Sequence, residues 1–307
     1  MLEAGGWWQE EAGGQGCRDP GEHATSTTLC LGEKLGQGGD DVTRWASSGC
    51  LHLLVKVVQS YKPNKVFFID INVAKGKELE ADLQKKYGAK VVIFRECDVT
   101  DGDALKASFD AAVAAFGNVD ICCNNAGILD ESIWERMLAI NTTAPIRGSM
   151  IALEHMRRDK GGRGGVILNT VSIVGMTNWY HMPIYVGTKH AMLGFTQSRA
   201  EYGVRWCSLC PMPVNTDLMV VAEDKVIDLD EFRVYVKATI IEPEDVVSAF
   251  LRLLQDEGNN GSIMEVTAAH RNGRYRKRII VNADGVSEPF LVDTPEKETS
   301  LPYWPDK

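Results

Sequence analysis

Lys65-Val66-Phe67-Phe68-Ile69-Asp70 is an apolar run of strand length that ends in an acid, and it decides the fold reading. An alternating pattern would mark a strand with one wet face, whereas a continuous run marks one covered on both sides. Downstream, 74–87 has a helical pattern stopped by Gly88, and Val91 to Phe94 is a strand. An Ala-rich helix over 101–116, closed by Gly117, precedes another strand from Val119 to Cys123. Upstream, Leu51 to Val58 suits a buried helix. Strands alternating with helices imply a parallel sheet with right-handed crossovers. The pattern continues with a long helical region over 131–158, a strand over 166–170, a helix over 185–202 and a strand from Val204 to Leu209. Pro211 and Pro213 end that strand and open a segment, 214–238, of little periodicity. Glu242-Pro243-Glu244-Asp245 starts another helix, with proline and acids where its first turn favours them, and Ser262 to Val266 is a last strand.

The 307 residues, 44% of them hydrophobic, suffice for one α/β core. A formal charge of -9 argues against nucleic acid as a partner. The one dense basic run, Arg271 to Arg278, reads as a solvated tail segment. No stretch approaches the ~18 continuous apolar residues of a membrane span. Glu3, Glu10 and Glu11, without an apolar stretch beside them, do not read as a signal peptide, so a cytoplasmic location is expected. Cys97, Cys122, Cys123, Cys207 and Cys210 fall in or beside buried strands, where free cysteine behaves as a small hydrophobe. The Cys207/Cys210 pair lacks the second pair of a metal site, and no metal is expected.

The chemistry concentrates in Ser172, Tyr185 and Lys189, with Asn141 upstream and Asn124-Asn125-Ala126-Gly127 before it. A helix opening just after Pro183 puts Tyr185 and Lys189 one turn apart on one face. Tyr61 and Lys65 share that spacing, but Pro63 between them forbids a regular helix. An ammonium beside a phenol favours the phenolate, so Lys189 is expected to lower the Tyr185 pKa and make Tyr185 a general base. Ser172 follows Val166-Ile167-Leu168 at the C-terminal end of that strand, where open α/β sheets place their ligands. Asp70, at the tip of its strand, is placed to accept hydrogen bonds from an adenosine ribose, which favours NAD over a 2′-phosphorylated cofactor.

In their order and spacing, Asn124-Asn125-Ala126-Gly127, Ile140-Asn141, Ser172 and Tyr185 with Lys189 resemble the short-chain dehydrogenases/reductases, over roughly residues 46–268. Trp134-Glu135-Arg136, Gly161-Gly162-Arg163-Gly164-Gly165, Gly203-Val204-Arg205, Cys210-Pro211, Val214-Asn215-Thr216 and Asn260-Gly261-Ser262-Ile263-Met264 resemble the family's NAD-dependent hydroxyprostaglandin-oxidising branch. Tyr185-Val186-Gly187-Thr188-Lys189 is also similar to the insect-type alcohol dehydrogenases. The resemblance implies a single-domain, Rossmann-like, doubly wound parallel sheet flanked by helices, and a homodimer. It assigns Ser172, Tyr185, Lys189 and Asn141 to catalysis. It assigns Gly49, Asp70, Ile71, Asp98, Val99, Asn125, Ala126, Gly127, Tyr185, Lys189, Val214 and Thr216 to NAD, and Ser172, Met182 and Tyr185 to substrate. The segment 214–238 would be a substrate lid.

The family's Thr-Gly-x-x-x-Gly-x-Gly loop meets Arg44-Trp45-Ala46-Ser47-Ser48-Gly49-Cys50-Leu51, where only Gly49 matches. Asp40-Asp41-Val42-Thr43 is a poor buried first strand. The expectation is therefore an atypical or degraded first strand and glycine loop, within a domain over 42–268. An extension without regular structure over 1–41 would precede it and a tail over 269–307 would follow. Gly203 arrives early, shortening the preceding helix, Met212 replaces a glycine, and Met182 replaces a polar substrate contact. Met176, Trp179, Met182, Met212, Leu218, Met219 and Val220 would line an apolar entrance, suited to hydroxylated fatty acids, prostaglandins or small alcohols. The implied activity is reversible NAD-dependent oxidation of a secondary alcohol. The alternatives are a silent scaffold that has lost cofactor binding, favoured by the altered loop, and an NADP-dependent carbonyl reductase, which Asp70 opposes.

Overall fold

The computed structural model describes residues 27–31, 65–89, 91–198, 202–219, 225–267, 276–280 and 287–291. The strands are β1 (Thr27–Leu31), β2 (Lys65–Asp70), β3 (Val92–Glu96), β4 (Ile121–Asn124), β5 (Gly165–Thr170), β6 (Val204–Pro211), β7 (Ser262–Val266), β8 (Arg276–Ile280) and β9 (Ser287–Leu291). The α-helices are α1 (Val73–Tyr87), α2 (Gly102–Phe116), α3 (Trp134–Leu138), α4 (Ala144–Met156), α5 (Pro183–Gln197), α6 (Leu229–Thr239) and α7 (Pro243–Gln255). One sheet runs β3-β2-β1-β4-β5-β6-β7-β8-β9. It is parallel through β7, with β8 and β9 added antiparallel at that edge. The doubly wound order reverses between β1 and β4, and the crevice outside the C-terminal strand ends at such a reversal is the ligand position of open α/β folds.

Two boundaries differ from the sequence expectation. The central position is held by Thr27–Leu31, with Thr28 opposite Val66 on one side and Ile121 on the other. A strand therefore lies inside the 1–41 stretch expected to be irregular, ahead of Asp40 to Thr43. Five residues with two threonines are short of apolar signal, although threonine suits a pleated strand. The tail over 269–307 likewise contributes β8 and β9, with Arg276 of β8 in register with Glu265 of β7. The sheet is thus mixed rather than wholly parallel. Gly49, Val220 and the helix expected at Leu51 to Val58 lie outside the described residues.

Both faces of the sheet are covered, which is why β2 carries no alternation. Phe67, Ile69, Cys122 and Ile167 pack against Leu105, Phe109, Leu153 and Met156 on one side. Val66, Phe68, Cys123 and Leu168 meet Leu79, Leu83, Phe250 and Leu253 on the other. Cys97, Cys122, Cys123, Cys207 and Cys210 are buried within this packing and form no disulfide. Among the described residues, no helix is long and apolar enough to cross a membrane, and no group of three His, Cys, Asp or Glu side chains could hold a metal.

The early arrival of Gly203 is accommodated by a tight junction. Helix α5 ends at Gln197, earlier than expected, and Tyr202 takes a positive φ of 35°. The Arg157 guanidinium lies 4.0 Å from the Tyr202 ring centroid, and the Arg158 N–H donates to the Tyr202 carbonyl at 3.0 Å. Gly164 faces this junction at φ 83°, and a Cβ there would lie 2.6 Å from the Gly203 carbonyl oxygen. Gly164→Ala combines a disfavoured backbone conformation with a clash against main chain. It is expected to destabilise the fold by roughly 2 kcal/mol or more in urea unfolding, against a few tenths for an ordinary surface change.

Candidate active site

The crevice is assembled from strand ends. β5 ends at Thr170 and β6 passes beside it, so the turn after β5 carries Ser172 between them. The Ser172 hydroxyl donates to the Pro211 carbonyl at 3.4 Å and accepts the Val174 N–H at 3.4 Å. The Tyr185 phenol is near enough to the Ser172 side chain for the serine to favour the phenolate. One turn along α5, the Lys189 ammonium lies 5.5 Å from the Tyr185 ring centroid and donates to the Thr170 carbonyl at 3.2 Å. Ser172, Tyr185 and Lys189 are thus brought together as the spacing predicts, with Tyr185 and Lys189 both buried.

The electrostatics differ from the expectation. Burial pushes the Tyr185 phenol up to about 12, with the neighbouring Ser172 side chain acting the other way. Burial also pushes Lys189 down to about 8, with the Cys210 thiol opposing it. Removing both groups from water penalises phenolate and ammonium alike, and this dominates both shifts. Lys189 at about 8 nevertheless stays mostly cationic at neutral pH.

Asn141 lies in a π-helical turn, Ala139–Thr143, which interrupts the helix between α3 and α4. The widened turn aims its buried side chain at Ile128. Asn141 Oδ1 accepts the Ile128 N–H at 2.9 Å, and Asn141 Nδ2 donates to the Ile128 carbonyl at 2.9 Å. The residue is therefore an anchor for the Asn124–Ile128 turn. Gly127 sits at the meeting point, where a Cβ would lie 3.5 Å from Asn141 Oδ1 and 3.7 Å from Lys189 Nζ. Below, Asn124 Nδ2 donates to Ser149 Oγ at 2.9 Å and Asn169 Oδ1 at 2.8 Å, and Asn169 Nδ2 donates to Thr196 Oγ1 at 2.9 Å. This buried polar chain locks β4, α4, β5 and α5 in mutual register.

The other expected cofactor positions cluster at neighbouring strand ends. The Asp70 carboxylate, at the end of β2, accepts the Asn72 N–H at 2.8 Å, and Ile71 follows half-buried. Asp98 accepts both the backbone N–H and the hydroxyl of Thr100, at 2.8 and 2.6 Å. Burial pushes its pKa up, but these bonds and the nearby Arg136 outweigh it and hold the carboxyl below its ordinary value. Val99 and Ala126 share a small cavity with Asn124, Ala144 and Pro145, while Asn125 and Gly127 stay half-buried. Val214 bridges to Ile241, and the Thr216 N–H turns back to the Val214 carbonyl at 2.6 Å.

The expected lid contains a helix. Phe232 and Val236 of α6 are buried, and the Trp179 ring packs against Phe232 and Tyr235 at centroid distances of 5.7 and 4.0 Å. Met182, Leu218 and Met219 pack in the same cluster as Tyr185. Met212 packs on the opposite side of the sheet and Met176 in a third cluster, so neither joins this group. Tyr180 donates to Glu231, and His181 Nε2 lies 3.3 Å from the same Glu231 oxygen.

Two features lie beyond the sequence expectations, and one of them has a signal in the sequence. Directly after β1 the chain reads Gly32-Glu33-Lys34-Leu35-Gly36-Gln37-Gly38, which is the glycine spacing sought around Gly49. Gly32, Gly36 and Gly38 lie outside the described residues. The second is Glu131, whose carboxylate accepts the Ile184 N–H at 3.1 Å and the Tyr185 N–H at 2.9 Å. Nothing local marks it, since its partners are more than fifty positions away.

The comparisons with known proteins agree with this geometry. The model of the short chain dehydrogenase family matches residues 49–227. The chain is 33% identical to "15-hydroxyprostaglandin dehydrogenase [NAD(+)]" of Macaca fascicularis over 221 residues, 68% of this chain and 83% of the relative. The human protein of that name is 32% identical over the same shares. "(-)-trans-carveol dehydrogenase" of Rhodococcus erythropolis is 31% identical over 62% of this chain and 72% of its own length. With the doubly wound sheet and the Ser172, Tyr185 and Lys189 grouping, these matches show that the chain is an oxidoreductase and belongs to the short chain dehydrogenase family.

Proposed function

We propose that the protein catalyses NAD-dependent, reversible oxidation of an apolar secondary alcohol, of the hydroxyprostaglandin or hydroxy fatty acid class. The observation that carries this reading is the grouping of half-buried Ser172 with buried Tyr185 and Lys189 at the mouth of the crevice. Ser172 holds the substrate oxygen beside Tyr185, and the phenol exchanges the hydroxyl proton. With the phenol near 12 in the protein alone, Tyr185 is poised as the proton donor for ketone reduction. For oxidation it must be drawn toward phenolate. NAD would accept the hydride, and its cationic ring would add to the Lys189 ammonium in favouring that phenolate. Lys189 steadies the arrangement from the Thr170 carbonyl.

The residues present fit the cofactor. Gly127 leaves bare main chain between Asn141 and Lys189, where a side chain would fill the crevice. Asp70 at the end of β2 would take the ribose hydroxyls and oppose a 2′-phosphate. Gly32, Gly36 and Gly38, following the central strand, take over the phosphate role first sought at Gly49. That spacing weighs against a silent scaffold. Trp179, Met182, Leu218 and Met219 favour an apolar substrate body, as does the relatives' naming. A cytoplasmic homodimer belongs to the same reading by family resemblance.

The test is turnover of a 15-hydroxyprostaglandin with NAD and with NADP, alongside calorimetric titration of each cofactor. The expectation is turnover with NAD and at least ~10-fold weaker use of NADP, as one uncompensated charge contact disfavours the phosphate by more than about 1.4 kcal/mol. Asp70→Ala narrows that preference. No NAD binding at millimolar concentration would return the scaffold reading.

A further inference from the structure

We propose that Glu131 is a positioning residue for Tyr185, acting by capping the helix that carries the phenol. The inference rests on the reading in which Tyr185 exchanges the substrate proton. Helix α5 begins without a cap of its own, because Met182 stands at its N-cap and has no side-chain acceptor to offer. The opening N–H groups of a helix have no partner within it. At Pro183 there is no N–H to satisfy, and the Val186 N–H reaches the Met182 carbonyl at 3.0 Å. Between them stand the Ile184 and Tyr185 N–H groups, and Glu131 accepts both, one on each carboxylate oxygen.

The origin of this cap is unusual for the molecule. Asn72, Asp101 and Asp228 cap α1, α2 and α6 from the position just before each helix. Glu131 reaches α5 from the 3₁₀ turn Glu131–Ile133, a few residues beyond Gly127. That turn is braced on its own account. Asp130 Oδ1 accepts the Ser132 N–H at 3.1 Å, and Asp130 Oδ2 lies 3.5 Å from Lys225 Nζ at the foot of the lid. The carboxylate thus fastens the main chain of Tyr185 to the loop that carries Asn125, Ala126 and Gly127. The phenol and the floor of the crevice are held as one body, and a loosened α5 would move the phenol relative to that floor.

The experiment compares wild type, Glu131→Ala, Glu131→Gln and Tyr185→Phe, using NAD and a 15-hydroxyprostaglandin. Rates are taken per folded molecule over a range of pH. Displacement of a reacting group by ~1 Å lowers rates by up to ~100-fold, so Glu131→Ala is expected to lose about 10- to 100-fold in kcat. Its KM for NAD should change by less than about 3-fold, as binding common to ground and transition states is kept. Glu131→Gln keeps one acceptor oxygen and is expected at an intermediate rate, with the pH midpoint of kcat displaced in both variants. A purely structural cap would lower melting temperature and leave kcat and its pH midpoint unchanged, and that result overturns the proposal. Should Glu131→Ala not fold, a wild-type rate and midpoint in Glu131→Gln overturns it equally. Wild-type turnover by Tyr185→Phe would instead overturn the underlying reading. A silent Tyr185→Phe beside a normal Glu131→Ala removes the Glu131 inference alone.

Discussion

Tyr185→Phe is expected to lower kcat by about 10²- to 10⁴-fold, the range a positioned acid or base contributes, with NAD binding and melting temperature close to wild type. The substitution deletes one oxygen and leaves the ring in the packing of Trp179, Met182 and Phe232. It also removes a hydroxyl that can make at most a neutral hydrogen bond to the neighbouring Ser172, since burial holds the phenol up to about 12. Such bonds contribute about 1 kcal/mol, so the loss of rate should far exceed the loss of stability. Steady-state kinetics with calorimetric NAD titration checks the separation. A variant that keeps more than a tenth of the wild-type rate would move proton transfer to another group.

Lys189→Met is expected to change activity and stability in opposite directions. Turnover should fall by about 10²-fold or more, through loss of the cation that favours the phenolate. Stability at pH 7 should rise by roughly 1–2 kcal/mol, because replacing a buried charge with an apolar side chain of similar volume removes its desolvation cost. The pH dependence gives the sign. Burial brings Lys189 from 10.5 to about 8, so the folded protein holds this proton less tightly than the unfolded chain does. Below about 8 the wild type carries the full cost of the buried ammonium, and between about 8 and 10.5 that cost fades. The stability advantage of Lys189→Met should therefore be largest near neutral pH and shrink toward pH 10. Lost contact with the Thr170 carbonyl trims the gain. Urea unfolding at pH 7 and pH 10 checks this, and a gap that widens with pH would contradict it.

What the sequence disclosed follows from how far each signal extends along the chain. Val66 to Ile69 and Val166 to Leu168 announce buried parallel strands because both faces of the sheet are covered. Tyr185 and Lys189 announce themselves because one helical turn is a fixed spacing. Thr27 to Leu31 carries no such signal, since its strand character depends on neighbours at Val66 and Ile121, which no local window contains. With that strand unmarked, the expected glycine loop falls at Gly49, and the Gly32, Gly36 and Gly38 spacing follows a strand that no local pattern announces. The Tyr185 pKa departs from the expectation for a different reason: adjacency to Lys189 is written in the sequence, whereas the depth of burial that raises the phenol is not. Glu131 joins two backbone amides far along the chain, a contact type that side-chain patterning does not encode.

The five residues of β1 also govern how the chain comes together. Between β2 and β4 they are the only described link across the sheet, so β2 and β3 with α1 are joined to the remaining strands through Thr27–Leu31. Pairing Thr28 with Ile121 closes a stretch of 93 positions (121 − 28), a non-local contact whose entropy must be met before any packing rewards it. Local βα units of the C-terminal half face no such delay. Folding should therefore finish by inserting a short ribbon into a slot already lined on either side, and a recombinant version trimmed to begin at residue 42 would leave that slot open. The half-built species would present two unpaired strand edges at the centre of the molecule, the place from which association between unfinished chains would start.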